Sequence, residues 1–254
     1  MTEKQFSTVK CVVFDLDGTV YFGKDLAPKA IETIDYARQQ AGHVFFATNN
    51  SAKTPLEIYE RLKKMGIHLT PDEVLTSSFL LAEYLLQHNL TQTITVGTDS
   101  LKQFLNEKGI KTDSKTPKAF VLGYNPAATL KDLDIPLNYL PKNYLFIAAN
   151  LERSYPVENG WLTPGAGAMV KMAEFVLQKE ADVFVGKPHS VMLKWIARKF
   201  NLFAQQILMV GDQYKSDVQM AENFGAHALL VTNGKPNTYP CKHISALAEL
   251  NELI

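Results

Sequence analysis

The sequence predicts an α/β protein: a parallel-sheet core and a second α/β unit within the same chain. Three observations carry this. Short apolar runs alternate with stretches of helical periodicity through most of the 254 residues. Several of those runs stop at small polar or charged residues, as strands of an open parallel sheet do at the edge where ligands bind. The long stretch between Asn50 and Lys187 repeats the strand–helix alternation by itself.

The elements follow in order. Residues 9–14 are continuously apolar or β-branched apart from Lys10 and read as a buried strand. The strand ends at Asp15-Leu16-Asp17-Gly18-Thr19, two carboxylates at a glycine turn. A helix starts at Ala27-Pro28, where Pro28 suits a first helical position, and Gly42 stops it. Residues 43–47 form a second buried strand, ending at Thr48-Asn49-Asn50-Ser51. Thr54-Pro55 opens a helix with Leu56, Tyr59, Leu62 and Met65 on one face and Gly66 as its stop. The second unit reads helix 77–88, strand 93–96, helix 99–108, strand 119–122, a partly helical stretch 130–140 interrupted by Pro136, and strand 144–149. Pro164-Gly165-Ala166-Gly167-Ala168 begins a further helix. That run lacks the P-loop lysine, so a tight helix start is favoured over a nucleotide loop. Strand 183–185 then leads to Gly186-Lys187-Pro188, followed by helix 189–200 and strand 207–210 ending at Gly211-Asp212. Asp217 opens the next helix, 228–231 is the last strand, and Ser245 is placed to cap a C-terminal helix.

Composition narrows the function. Hydrophobic residues make up 46% and charged residues 20%, an ordinary globular balance. Lys+Arg and Asp+Glu are both 26, so no global field holds the chain on nucleic acid or an acidic membrane. An anionic ligand has to be held by local charges or a metal. Cys11, inside the first strand, and Cys241, in a loop, have no metal-ligand spacing and make no disulfide framework. The opening MTEKQFSTVK contains no apolar signal region, and the expected setting is the cytoplasm.

Four strand ends thus carry Asp15 and Asp17, Thr48 and Asn49, Lys187, and Asp212. Each alone has an ordinary explanation as turn acids, a helix cap or a solvated lysine. Ends of a parallel sheet lie on one edge, and together these residues supply carboxylates, a hydroxyl and a cation. Two carboxylates two residues apart repel unless a cation or a shared proton compensates, so Asp15 and Asp17 predict a cation site.

The segments DLDGTVYFG, TNNS, GKPH and GDQYKSD, in that order, resemble the haloacid dehalogenase superfamily, and within it the NagD-like, p-nitrophenyl phosphatase-like branch. The run AANLERSYPVENGWLTPGAGA is similar to that branch's cap segment. The resemblance implies a Rossmann-like core of residues 1–76 and 181–254, with an α/β cap of residues 77–180 inserted between the second and third motifs. It implies a Mg2+-dependent phosphatase acting on a small phosphorylated metabolite: a sugar phosphate, phosphoglycolate or glycerol phosphate, pyridoxal phosphate or a nucleoside monophosphate. By the same resemblance Asp15 is the nucleophile that forms an aspartyl-phosphate, and Asp17 is first the general acid and then the base. Asp15, the backbone carbonyl of Asp17 and Asp212 are the implied Mg2+ ligands, with Asp217 orienting metal waters or Lys187. Lys187 neutralises phosphate charge, and Thr48, Asn49 and Asn50 hold phosphate oxygens.

Where relatives usually carry Thr-Asn-x-Asp, this chain has Ala149-Asn150-Leu151-Glu152. Glu152 and Arg153 are expected to face the leaving group, with a solvated loop pair as the alternative. Asp17 argues against a dehalogenase, because a leaving halide needs no proton. A phosphomutase shares the first half of the chemistry, and a regulatory protein that binds a phosphometabolite would have no use for Asp17. Neither nucleic acid nor membrane is an expected partner; a cap-mediated homodimer is compatible with the resemblance.

Overall fold

The computed structural model describes residues 5–156 and 161–254. The chain divides into two compact units. One runs through Thr48, takes in Ile58–Leu75 and resumes at Lys187–Ile254; the other comprises Asn49–Glu57 and Thr76–Gly186.

The first unit is built on a six-stranded sheet in the order Val74–Thr76, His43–Thr48, Cys11–Asp15, Ile207–Gly211, His227–Val231, His243–Ile244. Cys11–Asp15 pairs in parallel with the strands on both sides and is buried at every position, as a strand covered on both faces must be. Val12, Phe14, Val44, Phe46, Leu208 and Val210 form one core with Ile34 from helix Ala30–Ala41 and Ile58 and Leu62 from helix Pro55–Lys64. The register sets Phe14 beside Val210 and Asp15 beside Ala47, so the carboxyl ends of the three central strands finish together. Cys11 is a core group; burial pushes its thiol up to about 12. A π-helical turn, Tyr214–Val218, follows the Ile207–Gly211 strand and runs into helix Gln219–Phe224.

The second unit has its own parallel sheet, in the order Val183–Phe184, Leu145–Ala148, Ala119–Leu122, Thr93–Val96. Its core includes Ile94, Phe120, Phe146 and Val170, with the Phe120 and Phe146 rings 4.8 Å apart. Helices Ser77–Gln87 and Asp99–Glu107 are capped by Thr76 and Thr98, which accept from the amides of Phe79 and Leu101. Among the described residues no helix is long and apolar enough to cross a membrane.

Several expectations change. The strand expected at 183–185 in the core belongs to the second sheet, because Val183 and Phe184 pair with Ile147 and Ala148. Lys187 therefore does not end a core strand. Residues 49–57 and 181–186 accordingly fall in the second unit, where boundaries at 76 and 181 had placed them in the core. Helix Ala30–Ala41 begins after Lys29, which takes a left-handed conformation (φ 58°), two residues later than Pro28 suggests. Ser245 is not a cap: Glu249 accepts from the amides of Ala246 and Ser245 instead. Short strands that alternation does not reveal are Val74–Thr76, His243–Ile244, and the hairpins Tyr21–Phe22 with Asp25–Leu26 and Ser154–Pro156 with Leu162–Pro164. Residues 1–4 of the opening segment and 157–160 of the cap-like run lie outside the described residues.

The glycine run at 165–167 opens helix Ala166–Leu177 by lying against the chain's own backbone. Gly165 donates to the Arg153 carbonyl at 2.9 Å and Gly167 to that of Glu152 at 2.8 Å. A Cβ at Gly167 would overlap the Leu151 carbonyl. Gly167→Ala should lower the melting temperature by about 3–10 °C, whereas Ala168→Ser, at an exposed neighbour, should leave it within about 1 °C, as followed by circular dichroism.

Candidate active site

Lys187 is the centre of a buried ionic cluster. Its side chain is 3% exposed, and its ammonium donates to Asp15 Oδ1, to Asp217 Oδ1 at 2.7 Å and to the Ala47 carbonyl at 3.3 Å. Those three acceptors match the three N–H groups of an ammonium. Asp217 is fully committed: its Oδ2 accepts from the Gln213 amide at 3.0 Å, and its own amide donates to the Gln213 carbonyl at 2.8 Å. The π-helical turn thereby aims Asp217 at Lys187.

Asp212 completes the cluster from the residue after the Ile207–Gly211 strand. Asp15, Asp212 and Asp217 each offer an oxygen, all within 4.8 Å of one another. Two glycines make this density possible. A Cβ at Gly211 would overlap the Asp217 carboxylate, and one at Gly18 would overlap that of Asp212. Gly18 also has φ +91°, a conformation that favours glycine.

Three carboxylates face one ammonium, so the fully ionised cluster carries excess negative charge. Burial, opposed by Lys187 and reinforced by Asp217 and Asp212, holds the Asp15 carboxyl well above the usual range. Burial and then the Asp217 charge push Asp212 up to about 7, with Lys187 opposing. Burial alone would lower Lys187, but Asp15 and Asp217 outweigh it and hold it protonated. Asp212 Oδ1 is buried and has no hydrogen-bond partner. A dense all-oxygen donor set, excess charge and an orphaned carboxylate oxygen fit a hard divalent cation held by Asp15 and Asp212.

Asp17 lies outside this cluster, on the exposed turn after the first strand. Its Oδ2 accepts from the Tyr21 hydroxyl at 2.9 Å. Thr48 is buried at the end of the neighbouring strand. Asn49 and Asn50 begin the second unit. Asn50 Oδ1 accepts from the amides of Ala52 and Lys53, both at 3.0 Å, so the oxygen serves a turn, and a phosphate oxygen would be held by the Nδ2 donor.

The second unit's loops grip the segment 49–53. Asn150 Nδ2 donates to the Asn49 carbonyl at 2.8 Å, the Tyr124 amide to Ser51 Oγ at 2.8 Å, Thr98 Oγ1 to the Ala52 carbonyl and Ser78 Oγ to that of Lys53, both at 2.7 Å. Asn150 Oδ1 accepts in turn from the Glu152 amide at 3.0 Å, so one buried amide ties Asn49 to the Glu152 loop. A Cβ at Gly186 would overlap this region, meeting Asn49 Oδ1, the Ala149 carbonyl and Ser77 Oγ.

The structure thus gathers Asp15, Lys187, Asp212 and Asp217, sets Thr48 on the adjacent strand, and leaves Asp17 on a separate turn. Sequence reasoning missed Tyr21, Gln213 and Asn150, whose roles depend on local turns, and the packing demands on Gly211 and Gly186. For Gly211 and Gln213 beside Asp212, and for Gly186 beside Lys187, adjacency to a charged motif residue was the available signal; Tyr21 and Asn150 had none.

Matches to known proteins extend along most of the chain. A haloacid dehalogenase-like hydrolase model matches residues 12–111, and a related HAD-hydrolase-like model matches residues 184–249. The chain is 32% identical over 227 residues to an acid sugar phosphatase of Staphylococcus haemolyticus, covering 89% of this chain and 86% of that one. It is 28% identical over 228 residues to the 5'-nucleotidase YutF of Bacillus subtilis, covering 89% and 88%. The crystal structure of a 4-nitrophenylphosphatase from Thermotoga maritima superposes with a TM-score of 0.91 at 26% identity, covering 98% of this chain and 99% of that one.

The raised Asp212 sets a pH dependence for cation binding. The cation needs the ionised carboxylate, so below pH about 7 protons compete with it. Calorimetric titration should show divalent-cation affinity rising by about tenfold between pH 6 and pH 8, with proton release at the lower pH. A pH-independent affinity would place the cation elsewhere.

Proposed function

The chain belongs to the haloacid dehalogenase-like hydrolases and is a phosphatase of their NagD-like, p-nitrophenyl phosphatase-like branch, and from that premise we propose that it hydrolyses small phosphorylated metabolites, sugar phosphates first, through an aspartyl-phosphate on Asp15. The observation that carries this reading is the buried Asp15–Lys187–Asp217 array, with the orphaned Asp212 oxygen beside it. The sugar-phosphate preference rests on the acid sugar phosphatase relative; the 5'-nucleotidase relative adds nucleoside monophosphates to the substrates to be tried.

Lys187 holds Oδ1 of Asp15, and the attacking atom is the other carboxylate oxygen. That oxygen forms a bond to phosphorus as the bond to the substrate's alcohol oxygen breaks. Asp17 gives its proton to the departing oxygen, then takes one from the water that cleaves the aspartyl-phosphate, releasing phosphate and restoring Asp15. A carboxylate approaching a phosphate dianion meets repulsion of roughly 4 kcal/mol per charge pair at 4 Å in an effective dielectric near 20. Lys187 offsets part of it, and Thr48 donates to a phosphate oxygen. Mg2+ held by Asp15, Asp212 and the Asp17 carbonyl would neutralise further charge on the phosphoryl group.

In this reading the second unit is a specificity cap. The groups around Asp15 respond to phosphoryl and metal, so discrimination among alcohols falls to the cap, with the Glu152 loop as the candidate contact.

Asp15→Asn keeps side-chain size and removes the nucleophilic charge. p-Nitrophenyl phosphate hydrolysis in Mg2+ should fall to background while circular dichroism at the assay temperature still shows a folded protein, whatever the change in melting temperature; a folded variant keeping a tenth of the wild-type turnover would sink the covalent mechanism. Glu152→Ala should change relative kcat/KM among sugar phosphates and nucleoside monophosphates by more than about tenfold, while p-nitrophenyl phosphate stays within about threefold. A uniform loss on all substrates would put Glu152 in the fold instead.

A further inference from the structure

We propose that Tyr21 is a positioning residue that fixes the Asp17 carboxyl in the orientation from which it delivers a proton to the leaving oxygen. The inference rests on the assignment of Asp17 as general acid.

Asp17 sits on an exposed turn, where an aspartate side chain is ordinarily free to rotate. Here its Oδ2 is held by the Tyr21 hydroxyl at 2.9 Å. The turn builds this contact from the backbone up. Gly18 donates to the Tyr21 carbonyl at 2.8 Å, and Tyr21 donates back to the Leu16 carbonyl at 3.2 Å, which folds residue 21 underneath residue 17.

The phenol is itself clamped. Its residue is 1% exposed, and it opens the short hairpin Tyr21–Phe22 with Asp25–Leu26. The Arg61 guanidinium lies 4.2 Å from the ring centroid, and Arg61 Nη2 donates to the Gly23 carbonyl at 2.6 Å. One arginine therefore fixes both the ring and the loop that carries it.

This arrangement suits an acid that must turn into a base. Engaging Oδ2 leaves Oδ1 to carry the transferred proton. A phenol keeps its proton at neutral pH, so Tyr21 remains a donor in both halves of the cycle. An acid held in one rotamer avoids searching for it in each transition state.

Tyr21→Phe removes only the hydroxyl, and water can reach the exposed Asp17 in its place. The variant should melt within about 3 °C of the wild type. Steady-state kcat/KM is to be measured on p-nitrophenyl phosphate, on phenyl phosphate and on an alkyl phosphate such as glycerol phosphate, because kcat/KM reports the steps through departure of the alcohol. General acid catalysis is typically worth ~10²–10⁴, so a misplaced acid should cost the alkyl phosphate about tenfold or more. The nitrophenolate leaves with little help, so p-nitrophenyl phosphate should stay within about threefold. Phenyl phosphate should fall between them. An equal loss on all three substrates, or no loss on any, overturns the inference. Asp17→Asn assayed in parallel separates the two ideas: retained alkyl phosphate hydrolysis would overturn the assignment of Asp17 itself, whereas its loss alongside a substrate-independent effect of Tyr21→Phe overturns the role of Tyr21 alone.

Discussion

The site depends on one buried charge, the Lys187 ammonium between Asp15 and Asp217. A charge this deep cannot stand unpaired; removing one partner of a buried pair costs about 3–5 kcal/mol. The surrounding backbone is arranged to supply its acceptors. The parallel register brings Asp15 and the Ala47 carbonyl to the same level. The π-helical turn, held by Gln213, presents Asp217. Gly211 leaves that carboxylate the space it occupies. A change in any of these would leave an ammonium or a carboxylate without its counterpart, so the motif is constrained by stability as much as by chemistry.

The same cluster is left electrostatically incomplete. One ammonium does not balance three carboxylates, and the imbalance falls on Asp15 and Asp212, whose affinities for protons rise. Asp217 is satisfied by Lys187 and Gln213, but Asp212 keeps a buried oxygen without a partner. A fold selected for stability alone would not keep that oxygen. Perturbed carboxylates at the carboxyl ends of a parallel sheet are what a phosphoryl-transfer site needs. A divalent cation held by Asp15 and Asp212 would offset this excess charge.

The chemistry was more legible in the sequence than the architecture around it. Asp15 and Asp212 announce themselves because each ends an unmistakable apolar run. Lys187 was picked out for a reason that the topology does not support: its preceding strand joins the other sheet, and only the third dimension returns the lysine to Asp15. Short strands such as Val74–Thr76 leave no periodic signature, since three residues cannot display alternation. The roles of Tyr21 and Asn150 depend on hydrogen bonds formed by turns. Tyr21 reads as one more aromatic in a strand-like run, and nothing in its spacing from Asp17 distinguishes a partner from a bystander. Asn50 belongs to a functional motif, yet its side-chain oxygen serves the local turn, a use that the motif does not announce.

The division of the chain also bears on how recognition is shared. The boundary between the units falls between Thr48 and Asn49, inside the second motif rather than beside it. Residues on its far side are bound at four points by loops of the second unit. Asn150 is the most telling of these, because its single amide engages the Asn49 carbonyl and the Glu152 amide together. A loop proposed to sense the alcohol is thus hydrogen-bonded to a peptide proposed to sense the phosphate. Discrimination by differential transition-state contact is read in the chemical step as well as in binding, so contacts made by such a loop count in kcat as well as in KM.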